Sequence, residues 1–369
     1  MSNAHSTTQS TAPNTPAQEV LYTICPVFVA TNVALELGFI DEEFRRVNAR
    51  PRYLRSLPDN AGWLPHFTHS LPKLFRDGGA IPTIQARADL TDTTLIATTA
   101  AVTGGQILVR SDADIHRVGD LRGRRIGLTR SLATEKIDFV RGTAERGIEL
   151  ALAVNGLTRN DVQIVDLEAP EPKPAAPAER PAQNWTYLHN HVPEDQRALQ
   201  EGRVEAIYVS PARSIRLVAS GEFKIIEDLD RYPDWTLRVT NGPYTTAVNT
   251  DFAKAHPEVI VAWLRAAIRG GQWVNANRRA AADIFARTTT YRDADQIATL
   301  IQHQDFVPSL SPQNIAGVTI QKNFLRDHGY LKNDFRIEDW ADASYLKQAH
   351  ASLRAEAGHG SPIGIRKAA

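Results

Sequence analysis

Cys25, His66, Arg76 and the diglycine Gly78-Gly79 are the residues of this 369-residue chain whose types and spacing best suit chemistry. A thiol serves as nucleophile or acid once its pKa is lowered. An imidazole takes or returns a proton near neutral pH. The planar fork of arginine suits a two-oxygen anion, such as a carboxylate or sulfinate, held by parallel hydrogen bonds. Glycine lets backbone N–H groups approach a ligand oxygen closely. Each element alone is weak: a lone cysteine is more often a small buried hydrophobe, a histidine a satisfied core residue, an arginine solvated, and Gly-Gly a turn. With a single cysteine there is no internal disulfide. The chain is therefore expected in the cytoplasm, where a free thiol stays reduced.

The elements that must position these groups alternate between strand and helix, the mark of an α/β protein. Val20 to Ile24 reads as a buried strand that ends at Cys25. Pro26 follows, and Val27 to Leu37 has helical spacing closed by Gly38. A thiol at that handover would meet a helix N-terminus, whose free N–H groups and dipole favour thiolate; proline is tolerated in a first turn. Further strands are expected at Leu95–Thr99, at Gln106–Arg110 after Gly104-Gly105, and at Val162–Leu167, Ala206–Ser210, Phe223–Leu229 and Thr245–Asn249. Asp120 to Leu128 reads as a turn into a short strand, with Thr129 or Ser131 capping a helix to about Leu152. Residues 168–184 hold five prolines and are expected to form an irregular surface loop. Beyond Asn249 the pattern is helical, at His256–Ala267, Arg279–Arg287, Asp293–His303 and Pro312–Asp327.

Composition narrows the function classes. Lys plus Arg and Asp plus Glu are both 42, so the formal net charge is zero. This gives no support for nucleic-acid or anionic-membrane binding. Hydrophobic residues make up 42%, enough for a sizeable core, and the length fits two domains. No apolar run approaches a bilayer span. Residues 1–18, rich in Ser, Thr, Ala, Asn, Gln and Pro, read as a disordered tail and not as a secretory signal.

The element order, with DLRGRRIGL from Asp120 and EGRVEAIYVS from Glu201, resembles the two-lobed periplasmic-binding-protein fold. The branch is that of nitrate, sulfonate and thiamine-precursor binding proteins. The resemblance implies one lobe from 19–107 plus 241–369 and a second from 108–240, with ligand in the cleft between them and a helical C-terminal part. The motifs are closer still to one family. Cys25-Pro26-Val27 after a strand, His66-Phe67-Thr68, and Pro72 followed by Arg76, Gly78-Gly79 and Ile81-Pro82 resemble the 2′-hydroxybiphenyl-2-sulfinate desulfinase family. So do Gly38-Phe39-Ile40-Asp41 and Val109-Arg110-Ser111-Asp112.

Carried over by position, the resemblance implies Cys25 as catalytic thiol, His66 as its partner, Arg76 as sulfinate clamp and Gly79 as backbone donor. Phe67 and Trp63 would face the ring, and Thr23 would supply a hydroxyl. Gly104, Gly105 and Tyr208, at the crossing and on the second lobe, are expected to line the cleft, and Tyr244 also has a place there. The implied reaction cleaves the C–S bond of an aromatic sulfinate and releases sulfite, with no metal and no organic cofactor. The partner is a small-molecule aryl sulfinate; no nucleic acid or membrane partner is expected, and the chain is expected as a monomer.

The chain also departs from the family pattern. Ile24 precedes the cysteine where a polar residue is expected, Asp59–Pro65 is bulkier, and His69 replaces an aromatic. The segment after Arg141 is short, and the proline-rich insert has no counterpart. The alternative reading is a non-catalytic cytoplasmic binder of a sulfonate or taurine. The thiamine-pyrimidine synthase branch needs a cysteine cluster that one cysteine cannot supply. His189-Asn190-His191 lacks further ligands at metal spacing and reads as a solvated loop before the Glu194–Gln200 helix. Arg122, Arg124 and Arg125 read as solvated, and Trp185, Tyr187 and Trp235 as packing.

Overall fold

Among the described residues ten short runs, most of them rich in Val, Ile, Leu and Thr, form strands, and they sort into two five-stranded sheets. The structure, a computed structural model, describes residues 16–100, 103–173, 176–184 and 191–358. The first sheet holds β1 (Gln18–Ile24), β2 (Ala49–Tyr53), β3 (Leu74–Gly78), β4 (Thr93–Thr99) and β10 (Tyr244–Asn249), in the order β2-β1-β3-β10-β4. The second holds β5 (Gln106–Arg110), β6 (Arg125–Ser131), β7 (Gln163–Ala169), β8 (Ala206–Val209) and β9 (Phe223–Asp228), in the order β7-β6-β8-β5-β9. In each sheet three neighbouring strands pair in parallel, and one strand that has crossed from the other lobe lies antiparallel to both of its neighbours, so that the fifth runs with the first three.

Parallel strands need their faces covered by helices. On the first sheet that cover includes α1 (Ala30–Glu36), α2 (Phe39–Arg46) and the helix Pro257–Ala276, whose Trp263 is fully buried. The Trp263 ring stacks on Phe75 of β3 at 4.6 Å between centroids. Beside this layer also stand α3 (Pro65–Thr68) and α4 (Ala80–Asp89), while α5 (Phe139–Val154) opens beside β6 on the second. No helix among the described residues is long and apolar enough to cross a membrane.

Several expected boundaries move. Gln18 already pairs with Ala49, so the tail expected over 1–18 yields at least this residue to β1; residues 1–15 lie outside the described part. The helix expected from Val27 starts only at Ala30, because Val27 and Val29 donate to the carbonyls of Cys25 and Val27 in successive tight turns. Pro26 is therefore in a bend and not in a first helical turn. The cap of α5 is Asp138, which accepts from the Arg141 N–H, and neither Thr129 nor Ser131, both still within β6. The proline-rich segment is also more than a solvated loop. Ala178 is buried in the core of the first lobe, its N–H donates to the Arg55 carbonyl at 3.0 Å, and Pro181–Asn184 makes a short helix.

Candidate active site

Three neighbouring elements of the first lobe deliver the reactive groups to one point. Cys25 leaves the end of β1, Arg76 stands on β3 beside it, and His66 lies on α3, which leads into β3. The Cys25 N–H donates to the Asp77 carbonyl at 2.8 Å, tying the thiol's backbone to the adjacent strand. Asn32 of α1 donates to the carbonyls of Cys25 (3.3 Å) and Val27 (3.0 Å), which fixes the bend after the thiol. Gly78 is required here: it has φ of +145°, and a Cβ on it would collide with the Cβ and Sγ of Cys25.

The side chains converge. Sγ of Cys25 is 3.7 Å from Nε2 of His66 and 3.5 Å from Nη2 of Arg76. Nδ1 of His66 is 2.7 Å from Oγ1 of Thr23, so the hydroxyl of β1 orients the ring. Arg76, only 1% exposed, donates Nε to the His66 carbonyl at 2.8 Å and Nη1 to the Gly79 carbonyl at 2.9 Å. Its hydrogen bonds thus go to two carbonyls and a sulfur, and none among the described residues to a carboxylate. Removing a guanidinium from water costs on the order of several kcal/mol unless a counter-charge compensates. An anion docked on its remaining N–H groups would supply one.

Electrostatics keeps the imidazole neutral. Burial, reinforced by the nearby charges of Arg76, Arg55 and Lys136, holds His66 well below its ordinary 6.5. His69 is buried one turn further on and is lowered to about 4, chiefly by burial. Its Nε2 meets the Leu74 carbonyl at 2.8 Å, which makes it a core residue under α3. Asp77 points away from the thiol toward Thr31, and burial pushes its carboxyl up to about 6.

The group opens into a cavity of about 400 Å³. From the first lobe, Cys25, Pro26, Trp63, His66, Phe67, Arg76, Gly79 and Pro82 line it. The opposite wall comes from the second lobe: Phe139 and Val140 at the start of α5, Ala169 to Pro172 after β7, and Asp195 with Arg213. Phe67 packs edge-on against His66 at 4.7 Å and stacks with Phe139 at 5.8 Å, so the ring-bearing walls of the two lobes meet over the imidazole.

Of the residues singled out in the sequence, Cys25, His66, Arg76, Gly79, Phe67 and Trp63 come together on this cavity. Thr23 stands behind it, in contact with His66. Gly104, Gly105 and Tyr208 do not belong to the lining. They pack on one another, with the Tyr208 hydroxyl donating to the Gly104 carbonyl at 2.6 Å, because the buried crossing needs that carbonyl satisfied. Tyr244 is likewise absent from the lining, and burial, then Cys25, push its phenol above the ordinary 10. His191, expected in a solvated loop, does edge the cavity, whereas Trp185, Tyr187, His189 and Asn190 lie outside the described residues. Phe139, Glu171 and Arg213 carried no sequence signal, since each follows a strand or cap whose facing only the fold determines. No group of three or more potential metal ligands occurs among the described residues.

No family model matches the chain. It is 24% identical over 363 residues to a 2′-hydroxybiphenyl-2-sulfinate desulfinase of Rhodococcus erythropolis, across 89% of this chain and 92% of the relative. The desulfinase of the same name from Rhodococcus qingshengii matches equally. Among solved structures, a cysteine-to-serine mutant of the desulfurization enzyme DszB in complex with biphenyl-2-sulfinic acid superposes with a TM-score of 0.73 at 20% identity, over 91% of this chain and 99% of that one. The periplasmic aliphatic sulphonate-binding protein SsuA from Escherichia coli gives 0.60 at 14% identity, over 88% and 97%. The structural likenesses carry the fold, a two-lobed periplasmic-binding-protein-like α/β architecture. Over 89% of its length, this chain is similar to the 2′-hydroxybiphenyl-2-sulfinate desulfinases.

Proposed function

We propose that this protein is an aryl sulfinate desulfinase that acts on 2′-hydroxybiphenyl-2-sulfinate or a related aromatic sulfinate. The net reaction converts the sulfinate and water to the arene and hydrogen sulfite, with no change of redox state overall. One observation carries the reading: a buried thiol between an imidazole at 3.7 Å and a carboxylate-free guanidinium at 3.5 Å, at the floor of an aromatic cavity. The similarity to named desulfinases supports it from outside the geometry.

In this reading the sulfinate oxygens dock on Arg76 and on the backbone at Gly79, and the ring lies against Trp63, Phe67 and Phe139. The neutral imidazole, oriented by Thr23, exchanges a proton with the thiol. Two routes fit. Cys25 protonates the ring carbon that bears sulfur, sulfur dioxide leaves, and water converts it to hydrogen sulfite with return of the proton. Alternatively the thiolate attacks sulfur, the ring leaves with a proton, and water releases sulfite from the thiosulfonate-like adduct. We place the protein in the cytoplasm, where its thiol stays reduced.

The test is direct. Sulfite should appear on mixing with biphenyl-2-sulfinate, and Cys25→Ser should lower its release by roughly three orders of magnitude while the circular dichroism stays unchanged. Stoichiometric binding without any sulfite from the native protein would overturn the enzymatic reading in favour of a solute binder.

A further inference from the structure

Lys136 is buried, and beyond the field its charge exerts on His66 it has no role in the steps above. Its side chain is 1% exposed, and its ammonium sits 4.5 Å from the centre of the Phe67 ring on the first lobe and 5.1 Å from Phe139 on the second. The charge is compensated by Glu171, 2.5 Å away and itself only 12% exposed. Glu171 belongs to the Ala169–Pro172 stretch that roofs the cavity, and it also meets the Ser131 hydroxyl at 3.4 Å. One ammonium therefore joins three pieces of the cavity wall: the ring beside His66, the first residue of α5, and the roof.

The roof has fixed points on either side of Glu171. Before it, the Leu132 N–H donates to the Ala169 carbonyl at 2.9 Å. Beyond it, Ala178 is anchored in the first lobe through the Arg55 carbonyl. Neighbouring Lys173 differs: it is 51% exposed and pairs with Glu135 at the surface, where such pairs contribute little. A cation held against two aromatic faces in a desolvated site is worth more than an exposed one. Losing either partner of a buried pair leaves the other charge uncompensated.

We propose that Lys136 and Glu171 are specificity-determining residues: their ion pair latches the Ala169–Pro172 roof over Phe67 and Phe139 and so shapes the space for the aryl group. The proposal rests on the sulfinate reading of the same cavity. It separates recognition of the ring from recognition of the anion, because Arg76 and Cys25 lie on the floor and the latch lies against the aromatic walls.

The test uses two ligands that share a headgroup, biphenyl-2-sulfinate and methanesulfinate, in a Cys25→Ser background that prevents turnover. Titration calorimetry should show Lys136→Met and Glu171→Gln each weakening the aryl ligand by about tenfold or more, with methanesulfinate changed by less than about twofold. Lys173→Met should alter neither. Equal weakening of both ligands, or of neither, overturns the assignment. Hydrogen exchange supplies a second measurement that needs no ligand: the amides of Leu132 and Ala178 should exchange about tenfold faster in Glu171→Gln. Unchanged protection of both amides would show that the pair holds no roof. If the Cys25→Ser parent binds neither sulfinate, the sulfinate reading falls, and hydrogen exchange still decides the latch.

Discussion

The two lobes share one sheet plan, yet only the first carries reactive groups. Cys25 follows directly on β1, the strand between two parallel neighbours in the first sheet, whereas β6, between two parallel neighbours in the second, ends on Ser131. Beside β1, β3 contributes Arg76, whose buried charge has no carboxylate partner among the described residues. On the second lobe two charges that reach the cavity are paired, Arg213 with Asp195 at 2.8 Å and Glu171 with Lys136, while the Asp138 carboxylate accepts from the backbone N–H groups of Ser131 and Arg141. The difference teaches a division of labour. One lobe keeps an unbalanced charge, a thiol and a neutral imidazole poised for an incoming anion, and the other supplies a balanced wall that shapes what accompanies the anion.

The largest expected effect comes from comparing the two arginines. Arg76→Lys loses the planar fork that holds two backbone carbonyls and faces the thiol, so kcat/KM for an aryl sulfinate should fall by roughly a hundredfold. Arg213→Lys, in the balanced wall, should change it by less than about threefold. Similar losses in both variants, measured by sulfite release, would erase the asymmetry between the lobes.

A smaller effect is expected at the ring. Phe139 is the second-lobe face of the stack with Phe67, and Phe139→Leu should raise KM several-fold while kcat holds, because the substituted wall contacts the ring and not the sulfur. Steady-state kinetics with biphenyl-2-sulfinate checks this split. A fall in kcat with KM unchanged would move Phe139 into the reacting groups.

The smallest effect lies under the site and concerns stability. His66 and His69 are lowered from 6.5, His69 to about 4, so on acidification below 6.5 the unfolded chain takes up protons that the folded one refuses. Stability from these groups is therefore lost as the pH falls. Asp77 acts in the opposite sense. Raised from 3.8 to about 6, it holds a proton in the fold that the unfolded chain releases, and its contribution is lost as the pH rises through 6. Asp77→Asn should remove this offset and make the loss of stability between about pH 6 and 4 steeper, by on the order of 2 kcal/mol. Calorimetric unfolding at the two pH values measures it, and identical slopes would show that Asp77 ionises normally.

How far the site was legible depends on the kind of signal. Cys25, His66 and Arg76 could be read because each sits in a short motif whose chemistry is local. Trp63 and Phe67 came with them, being neighbours of His66 in sequence. Gly104, Gly105 and Tyr208 misled, since a glycine pair at a crossing and a tyrosine at a strand end satisfy a buried carbonyl as well as they line a cleft. Lys136, Phe139 and Glu171 were invisible: nothing in the spacing around a loop, a helix start or a proline-rich run says which lobe it will face.

The amino-acid sequence by itself determined the alternation of strands and helices, the single thiol, and the diglycine Gly78-Gly79 that follows Arg76. These are matters of periodicity and backbone permission, settled within a few residues. Only the tertiary structure decided that a neutral imidazole meets that thiol, that the guanidinium beside it has no carboxylate, and that Lys136 bridges two lobes through two rings. Those outcomes depend on burial and on charges brought together from distant positions, and burial is a property of the packed chain, not of any segment of it.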